Sequence, residues 1–357
     1  MQGSGTTVGR IEWLDCLRGF TMLLVVAYHV AQLCFGITIK TSASLPLLAL
    51  VRMPLFFFVS GLLAYKGTML WTTSTLGRQV GKKVVVQLVP TVVFLCIFLV
   101  VRTPHFWPGL QRALASPTKD GYWYTWALLV MFVIYYLFAF LEQRLRLGSW
   151  AIWTLWLVSL LVYETAFMPK YFTFPKSTFM AYSSFIQVVY YFHFFLFGNL
   201  VRRHQSAFDG LMDSRWFFPC VAAVAFVCAA DVLKWHTLHA MWTNLPRTLA
   251  MYSLMLLVVM AFRHHSHTFS RHTWAGRTLR FIGMRTLDIY LMHFIFMPRL
   301  PEVGKWFDAH QPNPLLEQTA CLLLALLVTC FCCLASGLLR TSPVLRKYLF
   351  GRVKREN

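Results

Sequence analysis

The chain is short of charge, and shorter still of acid. Charged residues fill 13% of its 357 positions, about half the share expected of a globular surface, and 13 Asp+Glu stand against 33 Lys+Arg. A water-soluble shell cannot be built from that. Nine cysteines are present, and the single CxxC spacing, Cys330 to Cys333 inside the last apolar run, has no second pair or histidine beside it, so neither a disulfide framework nor a zinc site is indicated. A glycine-rich phosphate loop, a repeat of fixed period, a low-complexity tract and a long linker are all missing. The first apolar run carries Asp15 and Arg18 and is followed by no small-residue cleavage site, so it reads as a retained helix rather than a signal peptide.

What the chain has is apolar: 58% hydrophobic residues, with 17% of positions aromatic. A membrane helix takes about 20 apolar residues. Apolar runs fall near 13–36, 45–65, 84–101, 122–140, 150–164, 179–200, 216–233, 245–262, 279–297 and 316–339. The expected fold is therefore all-α: a polytopic integral membrane domain of about ten transmembrane helices over 1–340, and a basic tail over 341–357 that is disordered or lies on the membrane surface.

The formal net charge of +20 would point to nucleic acid in a soluble chain. Its distribution argues otherwise. With the N-terminus inside, the segments on the inner side, among them Lys66, Arg78, Lys82, Lys83, Arg202, Arg203, Arg263 and Arg340, hold about twice as many Lys and Arg as the outer segments. The outer set includes Lys40, Arg102, Arg112, Lys119, Lys170, Lys176, Lys234, Arg247 and Arg299. The positive-inside rule then places both termini in the cytoplasm. The expected location is the cell inner (plasma) membrane, with the lipid bilayer and not nucleic acid as partner. The cysteines, including Cys330, Cys332 and Cys333 near the inner end of the last run, read as apolar packing. His264, His265, His267 and His272 have no carboxylate or cysteine beside them and read as a solvated loop, so no metal is expected.

Apart from Arg247 and Arg280 at the very ends of their runs, three arginines, Arg18, Arg52 and Arg285, fall inside the spans. Such a charge costs at least ~2.5–3.5 kcal/mol on insertion scales and marks the bundle interior or a wet cavity. Eleven helical steps from Arg18 to His29 return to within about 20° and climb about 16 Å, so Asp15, Arg18 and His29 share a face. Asp15 and Arg18 are spaced to pair near the inner end, leaving His29 in the outer half. The same arithmetic sets Arg52 on the descending second helix and His293 on the ninth at the depth of His29. Arg285 and Asp288 lie deeper and are expected to pair with each other. Together these groups describe a polar shaft.

These residues also carry a resemblance. Asp15-x-x-Arg18-Gly19, with His29 ten positions after the glycine, resembles the first helix of the membrane acyltransferase-3 family, which includes sugar and polysaccharide O-acetylases. The run from Arg52 to Gly61 is similar to that family's second-helix signature. Tyr191 to Gly198 resembles its "YFPFFLLG" segment, with His193 where proline is common. Phe281 to His293 resembles "IG-x-x-SL-x-IYLLH", with Thr286 where serine is usual. The match runs from about residue 10 to 350. It implies transfer of an acyl group, commonly acetyl from acetyl-CoA, to a hydroxyl of a sugar or glycan, with His29 essential. No fused SGNH-type domain accompanies the motifs, so this one chain is expected to carry out the whole transfer.

Imidazole, with an ordinary pKa near ~6.5, suits a general base at neutral pH. His29 then deprotonates the acceptor, or takes the acyl group itself; the residues leave both routes open. Arg52 is the candidate oxyanion donor, and Arg18 with Asp15 the guide for the donor at the inner mouth. Arg78, Lys82 and Lys83 are candidates for the coenzyme A phosphates, although the positive-inside rule accounts for them equally. Trp123, Tyr124 and Trp126, with Phe106, Trp107 and Tyr122, are placed to stack on sugar rings or to form an interfacial belt. His293 is a candidate for orienting substrate, as is His193. The alternative reading is a proton-coupled transporter or flippase using the same buried groups as a relay, and a non-catalytic membrane subunit is the third.

Overall fold

The computed structural model describes residues 12–39, 41–42, 44–167, 178–232, 244–310 and 313–350. Lys40, Lys170, Lys176 and Lys234, used above for topology, lie outside the described residues. So does the tail beyond 350. Among the described residues there is no strand. The α-helices are α1 (Glu12–His29), α2 (Leu45–Ala64), α3 (Thr73–Lys83), α4 (Val89–Arg102), α5 (Phe106–Ala115), α6 (Trp123–Arg144), α7 (Trp150–Ala166), α8 (Thr178–Ser183) and α9 (Phe185–Arg203). They continue as α10 (Gln205–Met212), α11 (Phe217–Val232), α12 (Leu245–His264), α13 (Trp274–Met284), α14 (Thr286–Phe296), α15 (Pro301–Ala309), α16 (Pro314–Leu339) and α17 (Pro343–Phe350).

Six helical stretches among the described residues are long and apolar enough to cross a membrane: Glu12–Cys34, Leu45–Ala64, Thr73–Arg102, Trp123–Arg144, Leu245–His264 and Pro314–Leu339. A seventh arises if α10 and α11, bent by 80°, count as one span. Several of the ten expected runs are shorter or broken. The run at 279–297 is two helices, because Arg285 leaves helical geometry (φ −114°, ψ 15°) and its N–H turns back to the Ile282 carbonyl at 2.9 Å. The run at 179–200 breaks at Ser184, which sits in the left-handed region at φ +54°. The run at 84–101 is longer than expected, since a π turn at Val84–Leu88 joins α3 to α4 without a break. Pro90 has no N–H for the carbonyl four residues back, and the π turn ends just before it. Nor is the tail wholly loose: α17 buries Phe350 against the Phe94 ring, centroids 6.0 Å apart.

Two close helix crossings organise the interior, and each rests on a pair of glycines. A Cβ on Gly19 would stand 1.9 Å from the Leu279 carbonyl oxygen, and one on Gly283 1.9 Å from that of Asp15. On the other crossing, a Cβ on Gly61 would meet the Phe195 carbonyl oxygen at 1.7 Å, and one on Gly198 that of Phe58 at 2.0 Å. Small residues allow backbones in apolar surroundings to approach this closely. Thus α1 is pressed onto α13, and α2 onto α9, which sets the level of every side chain above the contacts.

Asp288 and Arg285, three residues apart, do not pair as expected. Arg340 takes Asp288 instead, with its terminal nitrogen 2.7 Å from each carboxylate oxygen, and Ser336 adds a hydroxyl at 2.7 Å. The break at Arg285 swings that side chain onto the Phe281 ring, 3.9 Å from its centroid. Asp288 is buried while the Arg340 side chain keeps 21% exposure. Asp288→Ala should therefore cost about 3 kcal/mol, the low end of the range for breaking a buried pair. Thermal unfolding in detergent measures this, and an unchanged midpoint would show the pair to be dispensable.

Candidate active site

The residues that the sequence set at one depth come together. His29 closes α1, at the point where the helix passes into a π turn, Val30–Cys34; such turns are frequent at functional sites. Its ring lies 5.4 Å from that of His293 on α14 and 5.0 Å from Phe294. His293 is buried, and its Nδ1 donates to the carbonyls of Tyr290 at 2.7 Å and Ile289 at 3.1 Å. Carbonyls only accept, so the proton resides on Nδ1 and Nε2 presents its lone pair. That Nε2 has no hydrogen-bond partner among the described residues, and the same holds for Nε of Arg52. Arg52 lies with its guanidinium carbon 3.5 Å from the centroid of Tyr28.

Three cavities lie in sequence along α1. One of about 720 Å³ is lined by His29, Gln32, Arg52, Arg102, Arg112, Asp120, Trp123 and Arg299; we call it the arginine cavity. Another, of about 320 Å³, is lined by Arg18, Lys66, Gln79, Lys82, Lys83 and Tyr124; this is the lysine cavity. Between them lies a constriction of about 10 Å³. His29, Arg52 and Trp123 line both the constriction and the arginine cavity. Phe56, Tyr124 and Tyr290 line both the constriction and the lysine cavity. His29 therefore stands where the two larger spaces meet.

At the lysine cavity, Arg18 is 3.6 Å from Asp15 and donates to the Thr286 hydroxyl at 3.1 Å. Lys83 sits over the Phe132 ring at 3.5 Å. Lys66, which the sequence reading passed over, joins Lys82 and Lys83 there and donates to Gln79 at 2.7 Å. Burial, and then the charges of Lys82 and Arg78, lower the Lys66 ammonium from the ordinary lysine value. Arg78 itself is exposed and lines none of the three cavities; it sits one helical step from Gln79, which does.

The aromatic candidates separate as well. Trp123 stacks on Tyr191 (5.8 Å, 19°), and Tyr191 on Phe57 (5.0 Å, 20°), so Trp123 is a fixed wall of the arginine cavity. Tyr124 hydrogen-bonds Ser60 at 3.0 Å on the lysine side. Trp126 lies under the Lys119 ammonium, 5.3 Å away, and lines none of the three cavities. His193 is buried against Tyr252, Nδ1 to hydroxyl 2.9 Å, apart from all three cavities.

Sequence reasoning also missed the turn that forms one rim. Lys119, Asp120 and Gly121 all have positive φ, at 47°, 49° and 102°. The Lys119 ammonium holds the turn by donating to the carbonyls of Leu114, Ser116 and Ala181 at 3.0–3.2 Å, and burial lowers its pKa to about 8. A Cβ on Gly121 would fall 2.2 Å from the tip of the Phe294 ring, which packs on His29. Gly121→Ala should accordingly strain the turn, displace Phe294 into the histidine pair and lower turnover by about a hundredfold, the scale set by small misplacements of reacting groups. Steady-state rates at matched protein level check this; turnover within twofold of wild type would refute it.

Among the described residues no group of three or more His, Cys, Asp or Glu is arranged to hold a metal ion. What the site offers is an imidazole, a second imidazole with a free lone pair and a guanidinium packed on Tyr28 with its Nε unsatisfied among the described residues, at a narrow passage between two basic cavities. A family model described as an acyltransferase domain matches residues 11–335, nearly the whole chain. No curated protein and no solved structure matches.

Proposed function

The chain belongs to the acyltransferase-3 family and is a membrane acyltransferase, and from that premise we propose that it moves an acyl group, acetyl foremost, from acyl-CoA in the lysine cavity to a sugar hydroxyl in the arginine cavity. The observation that carries this reading is the constriction between the two spaces, whose lining includes His29 and Arg52. Coenzyme A brings phosphates, for which Lys66, Lys82 and Lys83 offer charge-assisted donors. Its pantetheine arm then has to climb from the level of Arg18 to that of His29, about 16 Å along α1. Under the positive-inside orientation the lysine cavity opens to the cytoplasm, where acyl-CoA is made, and the arginine cavity to the outer face. In that orientation the membrane is the cell's inner (plasma) membrane, and the acceptor belongs to an exported or cell-envelope glycan.

The reaction then runs as follows. His29 accepts the proton of the acceptor hydroxyl, whose oxygen attacks the thioester carbonyl. Arg52 meets the charge that gathers on the carbonyl oxygen, a contribution of several kcal/mol in a dry site. The intermediate collapses by breaking the carbon–sulfur bond, and the imidazolium returns its proton to the departing CoA thiolate. His293, its tautomer fixed by two carbonyls, packs its ring beside that of His29 and limits how that ring can turn. Trp123 supplies a flat wall against which a sugar ring stacks.

The test is acetyl-CoA turnover by the full chain in nanodiscs, read as free CoA and as base-labile acetyl label in added envelope glycan. Release of CoA without label in any glycan would sink the transfer reading. For the donor site, Lys82→Gln with Lys83→Gln should raise the KM for acetyl-CoA about tenfold, the loss of one to two charge-assisted contacts, with kcat nearly unchanged. A fall in kcat with constant KM would assign the two lysines elsewhere.

A further inference from the structure

The reading above names a sugar; the charge around the arginine cavity narrows which sugar. Resting on that reading, we propose that the acceptor is anionic, carrying a carboxylate or phosphate close to the hydroxyl that receives the acyl group.

Four arginines, Arg52, Arg102, Arg112 and Arg299, line this cavity against one carboxylate, Asp120. Arg112 is paired with Asp120 at 3.4 Å, which leaves three cationic groups unbalanced. Arg52 and Arg299 have no carboxylate partner among the described residues, and Nε of Arg52 lacks any hydrogen-bond partner there. Arg102 caps the end of α14 by donating to the carbonyls of Phe294, Ile295 and Met297 at 2.8–3.4 Å. That capping fixes its position and leaves its charge in place.

Topology does not explain the cluster. Arg102, Arg112 and Arg299 belong to the set that the positive-inside rule leaves poor in basic residues. Nor does a neutral sugar, which needs amide and hydroxyl partners rather than cations; in this cavity those are Tyr28, Gln32, Thr103 and Thr118. Arginine's planar fork matches carboxylate and phosphate oxygens two at a time, and a concave site of one sign concentrates oppositely charged ligand. The geometry also divides the labour: Arg52 is at the constriction beside His29, while Arg112 and Arg299 are exposed at the rim, placed to hold the anionic group while the hydroxyl points inward.

The experiment uses the full chain in nanodiscs of uncharged phosphatidylcholine, radiolabelled acetyl-CoA and envelope glycan. Product is split by solvent extraction into lipid-linked and polymeric pools, and each pool by anion exchange. Base-labile label is expected in a charged fraction: a lipid-linked one identifies a phosphate on a carrier lipid, a polymeric one a carboxylated or phosphorylated polysaccharide. Arg299→Gln and Arg112→Gln should each raise the KM for that fraction about tenfold, with kcat and the KM for acetyl-CoA unchanged. Label eluting in the neutral fraction overturns the inference, as does a change in the KM for acetyl-CoA in place of the acceptor's. Loss of label from every fraction, with His29-dependent CoA release intact, instead overturns transfer to a sugar altogether, so the two failures are distinguishable.

Discussion

His29→Ala brings acetyl-CoA turnover down to background, a loss of at least about 10²–10⁴-fold, the usual contribution of a positioned general base. The ring sits where the two cavities meet, and the neighbouring imidazole does not replace it: His293 is buried and lines none of the three cavities. Folding should survive the change, because His29 is only partly buried and the crossing of α1 with α13 is made at Gly19, three turns below. Free CoA measured against time, at matched expression and with an unfolding curve for each protein, gives the answer. Turnover above a tenth of wild type in a folded mutant would exclude the base assignment. Intact-protein mass spectrometry of donor-treated wild type should show no acyl adduct; a stable adduct on His29 would establish the covalent route instead.

Arg52→Ala lowers kcat by about 10²–10³-fold, as expected for removal of an oxyanion donor, and leaves the KM for acetyl-CoA near its wild-type value. Arg52→Lys should recover little of this. The guanidinium carbon lies 3.5 Å from the centroid of the Tyr28 ring, a close contact of delocalised cation and ring that a compact ammonium on a flexible stem does not reproduce. The stacking also separates this prediction from a purely structural role: loss of stacking alone would lower the unfolding midpoint of both variants while sparing kcat in the folded fraction. A kcat within threefold of wild type for Arg52→Ala rules out the oxyanion role.

How much of this was legible in the sequence follows from which contacts are local. Rise and rotation on one regular helix are arithmetic, so the common face of Asp15, Arg18 and His29 could be read directly, and the return of the chain through Arg52 and His293 needed only span lengths. The motif glycines were visible as letters, but their purpose was not: Gly19 meets Gly283, while Gly61 meets the backbone of Phe195 and Gly198 that of Phe58, across helices far apart in sequence. The break at Arg285 sits two residues after that crossing and shows no Pro or Gly of its own. Pairing Asp288 with Arg285 applied the i, i+3 rule where a partner 52 residues further on had the better geometry. Lys66 and the rim arginines come from segment ends and loops that only tertiary packing brings together. The Asp120-Gly121 dipeptide is a turn signal that could have been used, whereas nothing about Lys119 announces a left-handed residue.

The constriction has a consequence for the membrane itself. Two cavities entering one bundle from opposite ends make most of a pore, and a membrane that stores energy as an ion gradient cannot tolerate one. Here the join measures about 10 Å³, room for about one water molecule, and its walls are Phe56, Trp123, Tyr124 and Tyr290. A fixed guanidinium at the narrowest point repels protons and alkali cations, as arginines do in water-selective pores. Under the proposed function these walls and Arg52 would keep the passage closed to ions while a neutral acyl thioester enters from one side and an alcohol from the other.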